Sequence, residues 1–363
     1  METIASKSIT QKTVYPILFS IAFAHLLNDL IQAIIPASYP ILKENFNLSF
    51  TQIGLITFSY QMAASILQPL IGLYTDKRPK PFSQIVGMFF SLAGVILLAF
   101  ATSFPSIIMA VTFVGIGSSI FHPEASRISF LASGGKRGLA QSIFQLGGNA
   151  GTAIGPLLVA LIVVPNSQQH IVWFTVVAII ALFVLSKIGF WYQNHLSLRA
   201  TNKAEIVLPD LSQAKIVSSV IILLIIIFSK FFYSASISSY FTFYLMDKFN
   251  LSIRDAQFYL FLYLASCAVG TLIGGPLGDK FGRKYVIWFS ILGVAPFTML
   301  LPFVDLFWTG VLSVVIGLII SSAFPAILVY AQELLPKKLG MVSGLFYGFA
   351  FGMGGLGSAL LGN

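Results

Sequence analysis

Gly275-Pro276-Leu277-Gly278-Asp279-Lys280-Phe281-Gly282-Arg283-Lys284 is a polar turn set between two long apolar runs. Its echo lies 203 positions earlier (275 minus 72): Gly72-Leu73-Tyr74-Thr75-Asp76-Lys77-Arg78-Pro79-Lys80-Pro81 keeps the glycine, the aspartate and the first lysine. The pattern has a physical sense. Glycine lets two helices approach closely or turn, aspartate caps a neighbouring helix N-terminus, and the cations stay at an interface. Charge that merely set topology would explain the cations but not a Gly–Asp spacing that returns.

On either side of these turns the chain is apolar. Of 363 residues, 57% are hydrophobic and 9% charged, against roughly 25% charged in a soluble domain. A helix needs about 20 apolar residues to cross the hydrocarbon core. Eleven stretches qualify: 15–37, 51–74, 83–102, 105–130, 138–164, 170–192, 216–245, 252–276, 284–303, 306–331 and 339–362. They are too long and uninterrupted for barrel strands, so the chain reads as an all-α, multi-pass membrane protein. The lone Cys267 excludes a disulfide framework. The net charge of +9 could suggest nucleic acid, but its distribution accounts for it. With the N-terminus in the cytoplasm, sixteen basic residues fall inside and only Lys43, Lys248 and Arg254 outside, a positive-inside bias. The lipid bilayer is the partner this predicts; no nucleic acid is required.

The repeat extends beyond the turns. Phe46-Asn47-Leu48-Ser49 returns as Phe249-Asn250-Leu251-Ser252, again 203 apart, and Lys136-x-Gly138 as Lys338-x-Gly340, now 202 apart. The expected organisation is a six-helix half over 1–192, a cytoplasmic linker over 193–215 and a second half over 216–363 holding five spans. Parallel repeats of this kind place a substrate site between them. The counterpart of span 170–192 would fall at 372–394, so the repeat predicts a twelfth helix missing from this sequence, by truncation rather than by loss.

The two turns resemble the signature loops of the major facilitator superfamily, with Pro79 departing from the usual glycine in the first. His25-x-x-Asn28-Asp29, Phe121-His122-Pro123-Glu124, Gly138-x-x-Gln141-x-x-x-Gln145, Phe228-Ser229-Lys230 and Ala331-Gln332-Glu333-x-x-Pro336 narrow the match. They look like the fosmidomycin-resistance transporters. That resemblance implies a proton-driven antiporter of a bacterial inner membrane, working as a monomer and exporting a small phosphonate drug. It also implies gating by Gly72, Asp76, Lys77, Gly275, Asp279, Lys280, Gly282, Arg283 and Lys284. Gly151-x-x-x-Gly155-Pro156 is similar to the antiporter motif of drug exporters, although such glycines also serve plain helix packing.

Charge inside a span is costly and marks function by default. Four such residues stand clear of the loops: Asp29, Glu124, Arg127 and Lys230. Asp29 lies near mid-span and shares a helix face with His25, four residues earlier. Asp29, His25 and Glu124 are the candidates for proton coupling; a structural ion pair or a helix–helix hydrogen bond is the competing reading for Asp29, and a buried histidine bonded to a neighbouring helix for His25. Lys230, at matching depth in the seventh span, offers a cation to an anionic substrate or a countercharge to a carboxylate. His122, Glu124 and Arg127 read as a second polar cluster, re-aimed by a π-bulge at the point where the repeat offset falls from 203 to 202. Arg127 and His122 are assigned to substrate, as are Gln141 and Gln145 through neutral hydrogen bonds. Glu333 is expected in the inner gate with Lys337 and Lys338.

The four histidines are scattered without ligand spacing, so no metal is expected, nor any other cofactor. Three further readings stay open. Proton-coupled uptake of an organic anion or a sugar phosphate would use the same machinery. A membrane enzyme would need a nucleophile and base that no motif supplies. A non-transporting relative is suggested by the missing helix. No G-x-x-x-x-G-K-[ST] loop appears, which disfavours ATP drive.

Overall fold

The computed structural model describes residues 12–202 and 208–361. Lys7 and Lys203, two of the sixteen basic residues expected inside, and Glu205 of the expected linker lie outside them. The first half holds α1 (Tyr15–Ala37), the short α2 (Tyr39–Phe46), α3 (Phe50–Lys77), α4 (Ser83–Ala99), α5 (Phe104–Ala132), α6 (Arg137–Ile162) and α7 (Phe174–Asn202). The second holds α8 (Gln213–Phe249), α9 (Ile253–Phe281), α10 (Arg283–Leu292), α11 (Ala295–Leu300), α12 (Leu306–Ser321), α13 (Ala323–Leu334) and α14 (Leu339–Leu361). Each of the eleven expected spans corresponds to one of these helices or to a consecutive pair. Helix α7 runs on into the stretch expected as linker, to Asn202.

The repeated Phe-Asn-Leu-Ser string is one helix-to-helix turn used twice. Asn47 and Asn250 cap α2 and α8 in the left-handed region, with φ of 49° and 53°. Asparagine tolerates that conformation better than most residues. Ser49 and Ser252 then cap α3 and α9, each accepting a backbone N–H three residues on at 3.2 Å.

The expected π-bulge is absent, since α5 is α-helical through Pro123. The interruption lies in the other half, where Ser322 separates α12 from α13 and Pro325 follows. Proline cannot donate to the helix ladder, so carbonyls there need other partners. Lys230 Nζ donates to the Ile320 carbonyl at 2.8 Å, and Thr271 Oγ1 approaches that of Ser321 at 3.5 Å.

The halves meet where α3 packs on α14 and α6 on α9. Glycine makes both contacts close. A Cβ on Gly72 would collide with the Gly340 backbone, and one on Gly275 with the Gly138 backbone.

Candidate functional site

Three polar assemblies lie along the junction of the halves. The first is at the end marked by the two signature turns. Asp76, in the last turn of α3, accepts the backbone N–H groups of Gly340 and Met341 at 2.9 and 2.8 Å, capping α14 of the opposite half. Asp279, near the end of α9, accepts those of Gly138 and Leu139, both at 2.9 Å, capping α6 in return. Each carboxylate thus satisfies two of the orphan amides that start a helix in the other half.

Arginine holds each aspartate. Arg127 pairs with Asp76 at 2.5 Å and Glu124 at 2.7 Å, and also donates to the carbonyls of Gly72 and Thr75. Arg283 pairs with Asp279 at 2.6 Å and Glu333 at 3.3 Å, and Arg137 reaches Glu333 from across the junction at 3.1 Å. Glu333 is therefore paired with arginines, and no ion pair to Lys337 or Lys338 is found among the described residues. Gly282 turns the chain at φ 99° between α9 and α10. Lys77, Lys280 and Lys284 form no ion pair among the described residues.

Glu124 and Arg127 consequently belong to this lock. Arg127 is spent on α3 and does not line the central cavity, against the expectation that it contacts substrate. Glu124 is wholly buried at its side, so its assignment to proton coupling loses support to a structural ion pair. Nor does His122 join them.

The second assembly is a ladder of neutral side chains. Gln332 Nε2 donates to Ser126 at 3.1 Å and Ser343 at 2.8 Å, and Ser126 donates to Gln141 at 3.2 Å. Gln141 donates to the Tyr347 hydroxyl at 2.6 Å, which donates to Gln145 at 2.8 Å. The ladder crosses between halves repeatedly and ends at the cavity. Tyr347 was not singled out from sequence.

The third assembly surrounds Asp29. His25 and His122, far apart in sequence, bring their Nε2 atoms to 3.3 Å of one another. Asp29 faces both: Oδ2 lies 3.2 Å from His25 Nε2, and Oδ1 lies 3.4 Å from His122 Nε2. The expectation of scattered histidines holds along the chain and fails in space. The rings are fixed from behind, as His25 Nδ1 bonds the Phe144 carbonyl at 2.7 Å and His122 Nδ1 that of Ser118 at 3.1 Å. A carbonyl only accepts, so in these two bonds Nδ1 carries the hydrogen; His122 Nδ1 also lies 3.2 Å from the Ser118 hydroxyl. Asn28 and Gln32 donate to Asp29 Oδ1 at 2.9 and 2.8 Å. Tyr60 and Ser118 donate to Gln32 in turn.

Asp29 and Lys230 then meet in one space, a cavity of about 710 Å³ between the halves. Gln145, Asn149, Tyr263 and Tyr347 also line it. Lys230 donates only to backbone carbonyls, those of Ile320 and of Ser290 at 3.3 Å, and no ion pair joins it to a carboxylate among the described residues. Its role as a mere countercharge is thereby unsupported. Gln145 reaches the cavity; Gln141 lies one step behind it. Gly151 and Gly155, one turn apart on α6, abut Leu26, Leu30 and Ala33 of α1, and Pro156 follows them within the helix. Their visible work is close packing inside the first half.

Residues 21–359 match the Major Facilitator Superfamily. The chain is 57% identical to the fosmidomycin resistance protein of Escherichia coli, over 99% of this chain and 88% of that protein. It is 48% identical to an MFS-type transporter of Bacillus subtilis, YfnC, over 96% of this chain and 86% of the other. Among solved structures, the MFS transporter FucP in its outward conformation superposes with a TM-score of 0.74. That match has 14% identity and covers 97% of this chain and 92% of the other.

Proposed function

The chain belongs to the major facilitator superfamily of transporters, and from that premise we propose that it is a proton-coupled antiporter exporting a small anionic drug such as fosmidomycin across a bacterial inner membrane. One observation carries the reading: Asp29, backed by His25 and His122, shares its cavity with Lys230, whose ammonium has no carboxylate partner among the described residues. The name of the Escherichia coli relative, a resistance protein, supports the choice of drug.

The chemistry follows from the hydrogen positions. In the neutral tautomers that carry hydrogen on both Nδ1 atoms, two Nε2 lone pairs face each other and a carboxylate. A proton set between His25 Nε2 and Asp29 Oδ2, 3.2 Å apart, turns that repulsion into a charge-assisted bond. The cluster is built to hold a proton and is poorer without one. Lys230 meanwhile presents its donors to an anion in the same cavity.

A proton arriving and an anion leaving then alternate at one site. The two halves rock about the cavity, and the Asp76 and Asp279 caps close its cytoplasmic side. Neutral donors from Gln145 and Asn149 contribute to holding the solute.

Drug uptake into inverted membrane vesicles, whose lumen corresponds to the outside of the cell, tests this. With the lumen made acid, the wild type should carry fosmidomycin inward and alkalinise the lumen in step with it. Asp29→Asn should remain folded yet lose gradient-driven movement. Undiminished proton-coupled transport in that variant would overturn the assignment.

A further inference from the structure

The cluster around Asp29 has a geometry that proton handling does not demand. His25 Nε2 lies 3.2 Å from Asp29 Oδ2 and 3.3 Å from His122 Nε2, His122 Nε2 lies 3.4 Å from the other carboxylate oxygen, Oδ1, and one ligand atom from each of the three residues lies within 4.8 Å of the others. A tetrahedral zinc ion with nitrogen and oxygen ligands at about 2.0–2.1 Å separates those ligands by about 1.63 bond lengths, or roughly 3.3–3.4 Å. The two contacts of His25 Nε2 therefore have the length of tetrahedral edges, and the third ligand atom is close enough to complete the group with a small rotation of the carboxylate.

The surroundings fit as well. Metal-bound histidines as a rule donate their second ring nitrogen to a carbonyl or carboxylate, which fixes the tautomer and aims the other lone pair. Both rings do so here, to the carbonyls of Phe144 and Ser118. Asn28 and Gln32 bond Oδ1 and leave Oδ2 with His25 as its neighbour. Gly148 keeps the approach open, since a Cβ there would lie 2.5 Å from His25 Cε1, 2.6 Å from its Nε2 and 2.7 Å from Asp29 Oδ2. Finally, Asp29 lines the cavity, which gives an ion a way in and leaves its fourth position to water or an anionic solute. All of the ligands stand on α1 and α5 of one half, so movement of the halves does not dismantle the site.

We propose that His25, His122 and Asp29 form a binding site for one zinc-class divalent cation, opening onto the central cavity. Imidazole and carboxylate together suit a borderline ion of this kind more than calcium or magnesium, which take oxygen cages.

The experiment uses the full chain purified in detergent without a polyhistidine tag. Calorimetric titration with Zn²⁺ and visible spectroscopy with Co²⁺ read the site without any transport step, so this inference and the antiport reading fail separately. One ion per chain and the intense visible bands of tetrahedral Co²⁺ are expected. His122→Ala and Gly148→Ala should each weaken binding more than about 100-fold, beyond the loss of an outer-shell partner. Size-exclusion profiles report whether the variants are folded. Absence of zinc binding by the wild type, a weak octahedral cobalt spectrum, or unaltered affinity in folded His122→Ala would each overturn the site.

Discussion

Tyr347 donates its hydroxyl hydrogen to Gln145 at 2.8 Å, and the two hold equivalent places in the internal repeat, 202 positions apart. A residue can bond its own repeat mate only where the two halves face each other about their shared axis. This bond, with the one from Gln141 to the same hydroxyl, ties the floor of the cavity to the junction.

Tyr347→Phe keeps the ring but leaves buried Gln141 without its acceptor. An unsatisfied buried polar group costs about 1–3 kcal/mol. A lower melting temperature in detergent and faster labelling of cysteines placed beside the gate are expected; an unchanged pair of readings would remove Tyr347 from the junction.

The two caps are unequal. Asp76 and Arg127 side chains are 6% and 5% exposed, whereas Asp279 and Arg283 are 19% and 12%. Removing one partner of a buried pair costs about 3–5 kcal/mol, and exposure lowers that figure. Asp76→Asn should therefore destabilise the protein more than Asp279→Asn in thermal denaturation, with both variants losing transport.

Gly72→Ala places a methyl against the Gly340 backbone, while a Cβ on Gly54 meets nothing within 4 Å. Crosslinking of paired cysteines across the gate should fall in Gly72→Ala and hold steady in Gly54→Ala. Equal behaviour would mean that the close approach is not what shuts the gate.

Lys230→Gln removes the charge yet retains an N–H donor for the Ile320 carbonyl. A hydrogen bond to a charged group contributes about 1.5–3 kcal/mol, so KM for an anionic drug should rise about tenfold or more while expression and folding persist. A neutral substrate of similar size should show no such change.

Much of this was legible from sequence for a plain reason. A bilayer imposes length and apolarity on each span, and a charge within a span is costly enough to stand out, as Asp29 and Lys230 did. The partnerships among those charges were harder. His122 and Glu124 are neighbours in sequence, but two residues on a helix are about 200° apart, so they point to opposite sides. One therefore joins His25 and Asp29, and the other joins Arg127, which also holds Asp76. The bond from His122 back to Ser118, four residues earlier, followed the periodicity that sequence reading could have applied. Tyr347 carries no charge and breaks no pattern; only its offset of 202 from Gln145 could have found it.

The reciprocal caps give the moving protein a particular chemistry at its mouth. When the halves part, the amides of Gly138, Leu139, Gly340 and Met341 lose their carboxylates together. Two helix starts then stand bare at the entrance, each a natural receptor for negative charge. A motion that separates the halves thus uncovers a pair of anion-attracting rims, and the aspartates must displace any anion held there before the caps can form again.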